Sequence, residues 1–127
     1  MTEETQAPQA TPNPNELDPK FFEVCNEYLE LTNKQSKEHG MKRISLASLY
    51  AAARFNAHVF LSNSSNIGDD RTSFLDYMSG LYRRMLNEHI DGLGHERGIN
   101  VGKSELEEVY AASRAAREAA EEAAKKA

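Results

Sequence analysis

The sequence predicts an all-α protein: a small three-helix bundle with an additional alanine-rich C-terminal helix and a disordered N-terminal tail. Three observations carry that reading. Apolar residues recur at steps of three and four in three successive segments. No segment alternates with period two for long enough to make a strand. Each segment is bounded by residues that start or stop helices. A length of 127 residues fits one domain with tails, not two domains. The organisation that follows is a tail over 1–17, a three-helix domain over 18–94, a linker over 95–103 and an exposed helix over 104–127.

The tail holds Pro8, Pro12 and Pro14, the glutamates Glu3, Glu4 and Glu16, and one large aliphatic residue near its end, Leu17. Such a segment cannot bury enough apolar surface to offset its lost chain entropy. Asp18-Pro19 then announces the first helix. Asp is a good N-cap, and Pro suits the first helical position, where its missing N–H costs nothing. Phe21, Cys25, Tyr28 and Leu29 follow at helical spacing, widened by Phe22, Val24 and Leu31. His39-Gly40 closes the segment, since glycine readily adopts the left-handed cap.

The second helix is expected to begin near Ser45. Leu46, Leu49, Tyr50, Ala53, Ala57 and Phe60 make its stripe, with Phe55 and Val59 to one side. Ala51-Ala52-Ala53 favours helix and keeps one face thin enough for another helix to approach. Asn63 to Gly68 reads as a loop. The third helix is expected from Asp69 or Asp70, with Phe74, Met78, Leu81, Tyr82, Met85, His89 and Ile90 on one face and Gly92 and Gly94 as its stop. Ser104-Glu105-Leu106-Glu107 matches a capping box. The helix it opens carries Leu106, Val109 and Tyr110, then only alanine on its apolar face, so it has little to bury.

The segment Ser48-Leu49-Tyr50-Ala51-Ala52-Ala53-Arg54-Phe55-Asn56-Ala57 resembles the signature of a small proteobacterial family known as domain of unknown function 3144. Phe21-Phe22, Leu31-Thr32-Asn33 and Tyr82-Arg83-Arg84-Met85-Leu86 extend the resemblance over residues 18–94. Members often carry Trp just after the motif, where this chain has His58. The resemblance implies a small helical domain. It implies no activity, so no catalytic residue is carried over from it.

Composition narrows the function. The 20 acidic residues outnumber the 15 basic ones, giving a net charge of −5, which argues against a nucleic-acid binder. The basic pairs Lys42-Arg43 and Arg83-Arg84 are short. The opening stretch MTEETQAPQA lacks the basic and apolar regions of a secretory leader, so the cytoplasm is the default compartment. No apolar run nears the ~20 residues that cross a bilayer, and no helix is basic enough to lie on a membrane. Cys25 falls in the apolar register of the first helix and reads as structural. The histidines His39, His58, His89 and His95 lack a converging partner set, and no catalytic constellation, metal site or cofactor cradle is found.

One group stands out: Tyr50, Arg54, Phe55, Asn56 and Val59 on the second helix. Asn56 falls near the buried edge, where a polar side chain needs partners. It either ties the helices together, with Arg54 paired to a carboxylate, or it serves a binding role. Two uses follow. The first is a non-enzymatic interaction or self-associating module, with an unknown protein partner or a homodimer docked on Tyr50, Phe55 and Val59. The second is a small-ligand or enzymatic domain using Tyr50, Arg54 and Asn56. A weak nucleic-acid binder is a third.

Overall fold

Asp18 and Pro19 start the first helix as their chemistry dictates. In the structure, a computed structural model that describes residues 18–126, Asp18 is extended (φ −80°, ψ 168°) and its carboxylate accepts the Phe21 N–H at 2.9 Å. Helix α1 runs Pro19–His39. Gly40 ends it at φ 89°, a backbone that glycine alone takes without strain, and its N–H donates to the Ser36 carbonyl at 2.9 Å. The predicted tail over 1–17 lies outside the described residues.

Helix α2 runs Met41–Asn63, four residues earlier than the Ser45 start expected from sequence. The reason is the single-residue break. Gly40 turns the chain and its carbonyl accepts the Ile44 N–H at 3.3 Å, so the new helix begins at once. Ile44 is thereby tucked in, 7% exposed, and is the one buried side chain of α2. Cys25, Thr32 and Ser36 of α1 and Asn56 and Phe60 of α2 are half-buried. Cys25, expected in the core, is therefore only partly covered, as a free thiol.

Helix α3 runs Ile67–Arg97 and differs from expectation at both ends. The loop before it shrinks to residues 64–66. There the Ser64 hydroxyl accepts the Asn66 N–H at 3.2 Å and donates to the Asp70 carboxylate at 2.9 Å. Asp69 and Asp70 sit in the first turn, where the helix dipole favours anions. At the other end the helix passes through Gly92 and Gly94 and stops at Gly98. Only Gly98 takes the left-handed conformation (φ 64°, ψ 31°). Its N–H reaches the His95 carbonyl at 3.2 Å and the Ile99 N–H reaches the Gly94 carbonyl at 2.9 Å, the bonding of a Schellman cap. A glycine within a helix costs only ~1 kcal/mol relative to alanine, which a long helix tolerates.

Helix α4 runs Glu107–Lys126. Every residue of it after Tyr110 is exposed. No strand occurs among the described residues, and the chain is all-α. The described residues up to Ser62 form one compact unit and those from Asn63 a second. The apolar stripes are less covered than the sequence reading expects. Among the described residues Ile44 and Leu106 are the buried hydrophobic side chains, while the α3 stripe is half-buried at Phe74, Met78 and Leu81. No helix is long and apolar enough to cross a membrane.

Candidate functional site

The five residues singled out by sequence all lie on α2, and helical geometry divides them. Side chains four apart stand one above the other. Tyr50 thus shares a flank with Arg54, and Phe55 shares another with Val59. Five residues, from Tyr50 to Phe55, turn the helix by roughly 140°. Tyr50 and Phe55 are 72% and 66% exposed, and Val59 is exposed as well. Asn56 is half-buried between the flanks.

Neither Arg54 nor Asn56 makes a side-chain hydrogen bond or ion pair among the described residues. The Asn56 amide is not sealed from water, because no buried polar side-chain atom is left unpaired among the described residues. The Tyr50 flank is the longer of the two. Leu46, Tyr50, Ala53, Ala57 and Leu61 form one line at helical spacing, and Leu46 and Leu61 are also exposed. The whole of α2 contains no aspartate or glutamate, while it carries Lys42, Arg43 and Arg54. This face can offer aromatic and aliphatic surface with a cationic edge. Two open surface depressions lie elsewhere, one lined by Ser79, Gly80, Tyr82, Arg83 and Leu86, the other by Lys103 to Glu105 with Glu107 and Glu108.

A second cluster, which sequence reading missed, joins α3 to the start of α4. The Asp91 carboxylate accepts hydrogen bonds from the Ser104 hydroxyl at 2.5 Å and the Tyr110 hydroxyl at 2.8 Å, both on one oxygen. Ser104 in turn accepts the Leu106 N–H at 3.0 Å. The expected capping serine therefore does not cap the helix: it accepts the Leu106 N–H ahead of α4, its proton goes to α3, and α4 starts at Glu107. One helical turn before Asp91, Asn87 donates to Glu105 at 2.9 Å, and Arg83 grips the same carboxylate through two nitrogens. Leu106, in the same segment, is buried, 9% exposed.

Charge and packing both respond to this clasp. The Arg83 guanidinium and the Asn87 amide hold the Glu105 carboxyl down at about 2, while the Glu105 carboxylate raises Arg83 in turn. The hydrogen bond to Asp91 raises the Tyr110 phenol. Val101 presses against Gly94, where an added Cβ would collide with it, so Gly94 is buried because the connector must lie flat on α3. The signal in the sequence is the spacing of Arg83, Asn87 and Asp91, one turn apart along a single face. No group of three or more metal-ligating side chains is found among the described residues.

The sequence profile of a family described as proteins of unknown function, DUF3144, matches residues 21–93. The chain belongs to that family. The match spans α1, α2 and most of α3 and stops short of the connector and α4, so Ser104, Glu105 and Tyr110 of the clasp lie beyond it. No curated protein and no solved structure matches the chain.

Proposed function

We propose that this member of the DUF3144 family is a protein-interaction module that completes its apolar core against another protein chain. One observation carries the reading. Among the described residues twenty-four large hydrophobic side chains are exposed, against two that are buried. Ordering a residue costs about 1–2 kcal/mol of chain entropy. A fully buried large side chain returns about 1.5–3 kcal/mol. Two such residues fall short of the ordering cost of four helices, which supports the reading that a partner covers part of this surface.

The α2 face is the docking surface in this reading. Tyr50, with Leu46 and Leu61, supplies one anchor line, and Phe55 with Val59 supplies the other. Aromatic side chains on a rigid helix lose little conformational freedom on binding, which is why they dominate interface energetics. Arg54 and Asn56, without a side-chain hydrogen bond or ion pair among the described residues, are available to hydrogen-bond across the interface. A ligand-binding or enzymatic use of Tyr50, Arg54 and Asn56 is the second reading, and neither of the two depressions described above includes these residues.

The test is amide exchange on the full chain, alone and in native-host extract, for wild type and a Tyr50→Ser/Phe55→Ser pair. Wild type is expected to gain protection along α2 when partnered, and the pair to lose it. A dilute, monomeric chain that melts cooperatively, protects its amides for hours and binds no apolar dye would end this reading.

A further inference from the structure

We propose that the occupant of the Tyr50 flank of α2 is an acidic amphipathic helix of another protein, laid along Arg43, Leu46, Tyr50, Arg54 and Leu61. The inference rests on the interaction reading above and names the chemistry of the partner. At about 100° per residue these five side chains fall within one quarter of the helix circumference. All five are exposed. Arg43 and Arg54 stand roughly three turns apart, about 16 Å along the axis, with Leu46 and Tyr50 between them and Leu61 beyond. The stripe is therefore apolar along its length and cationic at two fixed points.

Charge says what covers it. The chain is acidic, with a net charge of −5, yet the stretch from Leu31 to Gly68 holds Lys34, Lys37, Lys42, Arg43 and Arg54 against a single carboxylate, Glu38. That carboxylate lies 3.7 Å from His39. Neither Arg43 nor Arg54 makes a side-chain hydrogen bond or ion pair among the described residues. Arginine grips a carboxylate through two parallel N–H donors, and the pair gains strength where apolar contact keeps water away. A partner helix with carboxylates about three turns apart and an apolar face between them meets both arginines and both leucines at once. A second copy using the same stripe brings no carboxylate, because α2 holds none. A nucleic-acid strand would satisfy the arginines and stack on Tyr50, but it would leave Leu46 and Leu61 without an apolar counterpart.

The experiment measures binding of the full chain to two synthetic helical peptides of about 20 residues, long enough to span both arginines. One carries glutamates about three turns apart beside a leucine face. The other is identical except for lysine at those positions. By fluorescence anisotropy, wild type is expected to bind the glutamate peptide at least about tenfold more tightly than the lysine peptide, and to lose that preference in high salt. The Arg43→Glu/Arg54→Glu pair, checked for unchanged helicity by circular dichroism, is expected to reverse the preference. Leu46→Ser is expected to weaken both peptides alike. Equal binding of the two peptides by wild type, or binding of neither, would overturn the inference. So would tighter binding of an oligothymidylate strand than of the glutamate peptide, or a self-association that the arginine pair abolishes, which would put a nucleic acid or a second copy on the stripe. Amide exchange in native-host extract, repeated on the arginine pair, separates this inference from the interaction reading. If wild type and the pair gain equal protection along α2, the partner ignores the arginines, and this inference falls while the interaction reading stands. If wild type gains none, both fall.

Discussion

The two units of this chain hold their helices together by different means. Between α3 and α4, hydrogen bonds are directional and cross the joint: Ser104 and Tyr110 on Asp91, Arg83 and Asn87 on Glu105. In the α1–α2 unit the side-chain hydrogen bonds are local. Asp18 caps its own helix, Thr32 bonds back to Leu29, Ser48 to Ser45 and Ser62 to His58. Apolar contact says only that helices should touch, while polar contact says in which register. The clasped unit specifies its own geometry. The α1–α2 unit, joined by one glycine, has Ile44 as its one buried hydrophobic side chain among the described residues.

The largest expected effect comes from emptying the sealed position of the clasped unit. Leu106→Ala should cost about 2–3 kcal/mol, the lower part of the range for a large-to-small change, because the site is small and near solvent. At fixed chain concentration, thermal melts and amide exchange should show the loss over the connector and the first turn of α4. A change below about 0.5 kcal/mol would mean that the hydrogen bonds hold the joint without its apolar plug.

Glycines in α3 sharpen the contrast within a single helix. Gly94→Ala drives a methyl into Val101, a short and stiff side chain, and should cost about 1–2 kcal/mol even after the gain in helix propensity. Gly80→Ala and Gly92→Ala meet open space, and each should stabilise by roughly 0.5–1 kcal/mol. If all three shift the melting temperature in the same direction, the connector does not lie on Gly94.

These glycines also show how far the sequence was legible. Asp18-Pro19 and His39-Gly40 could be read directly, because capping chemistry is settled within a few residues. Gly92 and Gly94 read as a stop because a glycine ends a helix only when it takes positive φ, and that choice fell to Gly98. The early start of α2 follows from the tight turn at Gly40, which no propensity reports. The α2 aromatics were visible as a group, but their division between two flanks needed the helix to be set in three dimensions. The clasp was hidden because Asp91 and Tyr110 are nineteen residues apart, and neither is unusual where it stands.

Acid should act on the clasp. The Glu105 carboxyl, normally near 4.5, is held at about 2 by Arg83 and Asn87. A depressed carboxylate contributes stability that is complete above its unfolded value and fades as pH falls toward the folded one. The window is therefore from about 4.5 down to about 2. Amides of the connector and the first turn of α4 should lose protection there. Glu105→Gln should remove that pH dependence while keeping a partner for Asn87. A transition that persists in the Gln variant would assign the acid sensitivity to another group.

The smallest effect is expected where α4 leaves the joint. From Ala111 onward every described residue of the helix is exposed, so its alanines bury nothing within the chain. Removing residues 115–127 should lower helix content in proportion to length and leave the melting of the clasped unit within about 0.5 kcal/mol of the full chain. The deletion keeps Tyr110 and both carboxylate centres, so it separates the joint from the rod that projects beyond it. If the truncated chain instead lost protection at Asp91 and Leu106, then α4 would be feeding stability back through its backbone. In that case the alanine-rich segment, and not the clasp, would set the strength of this half of the molecule.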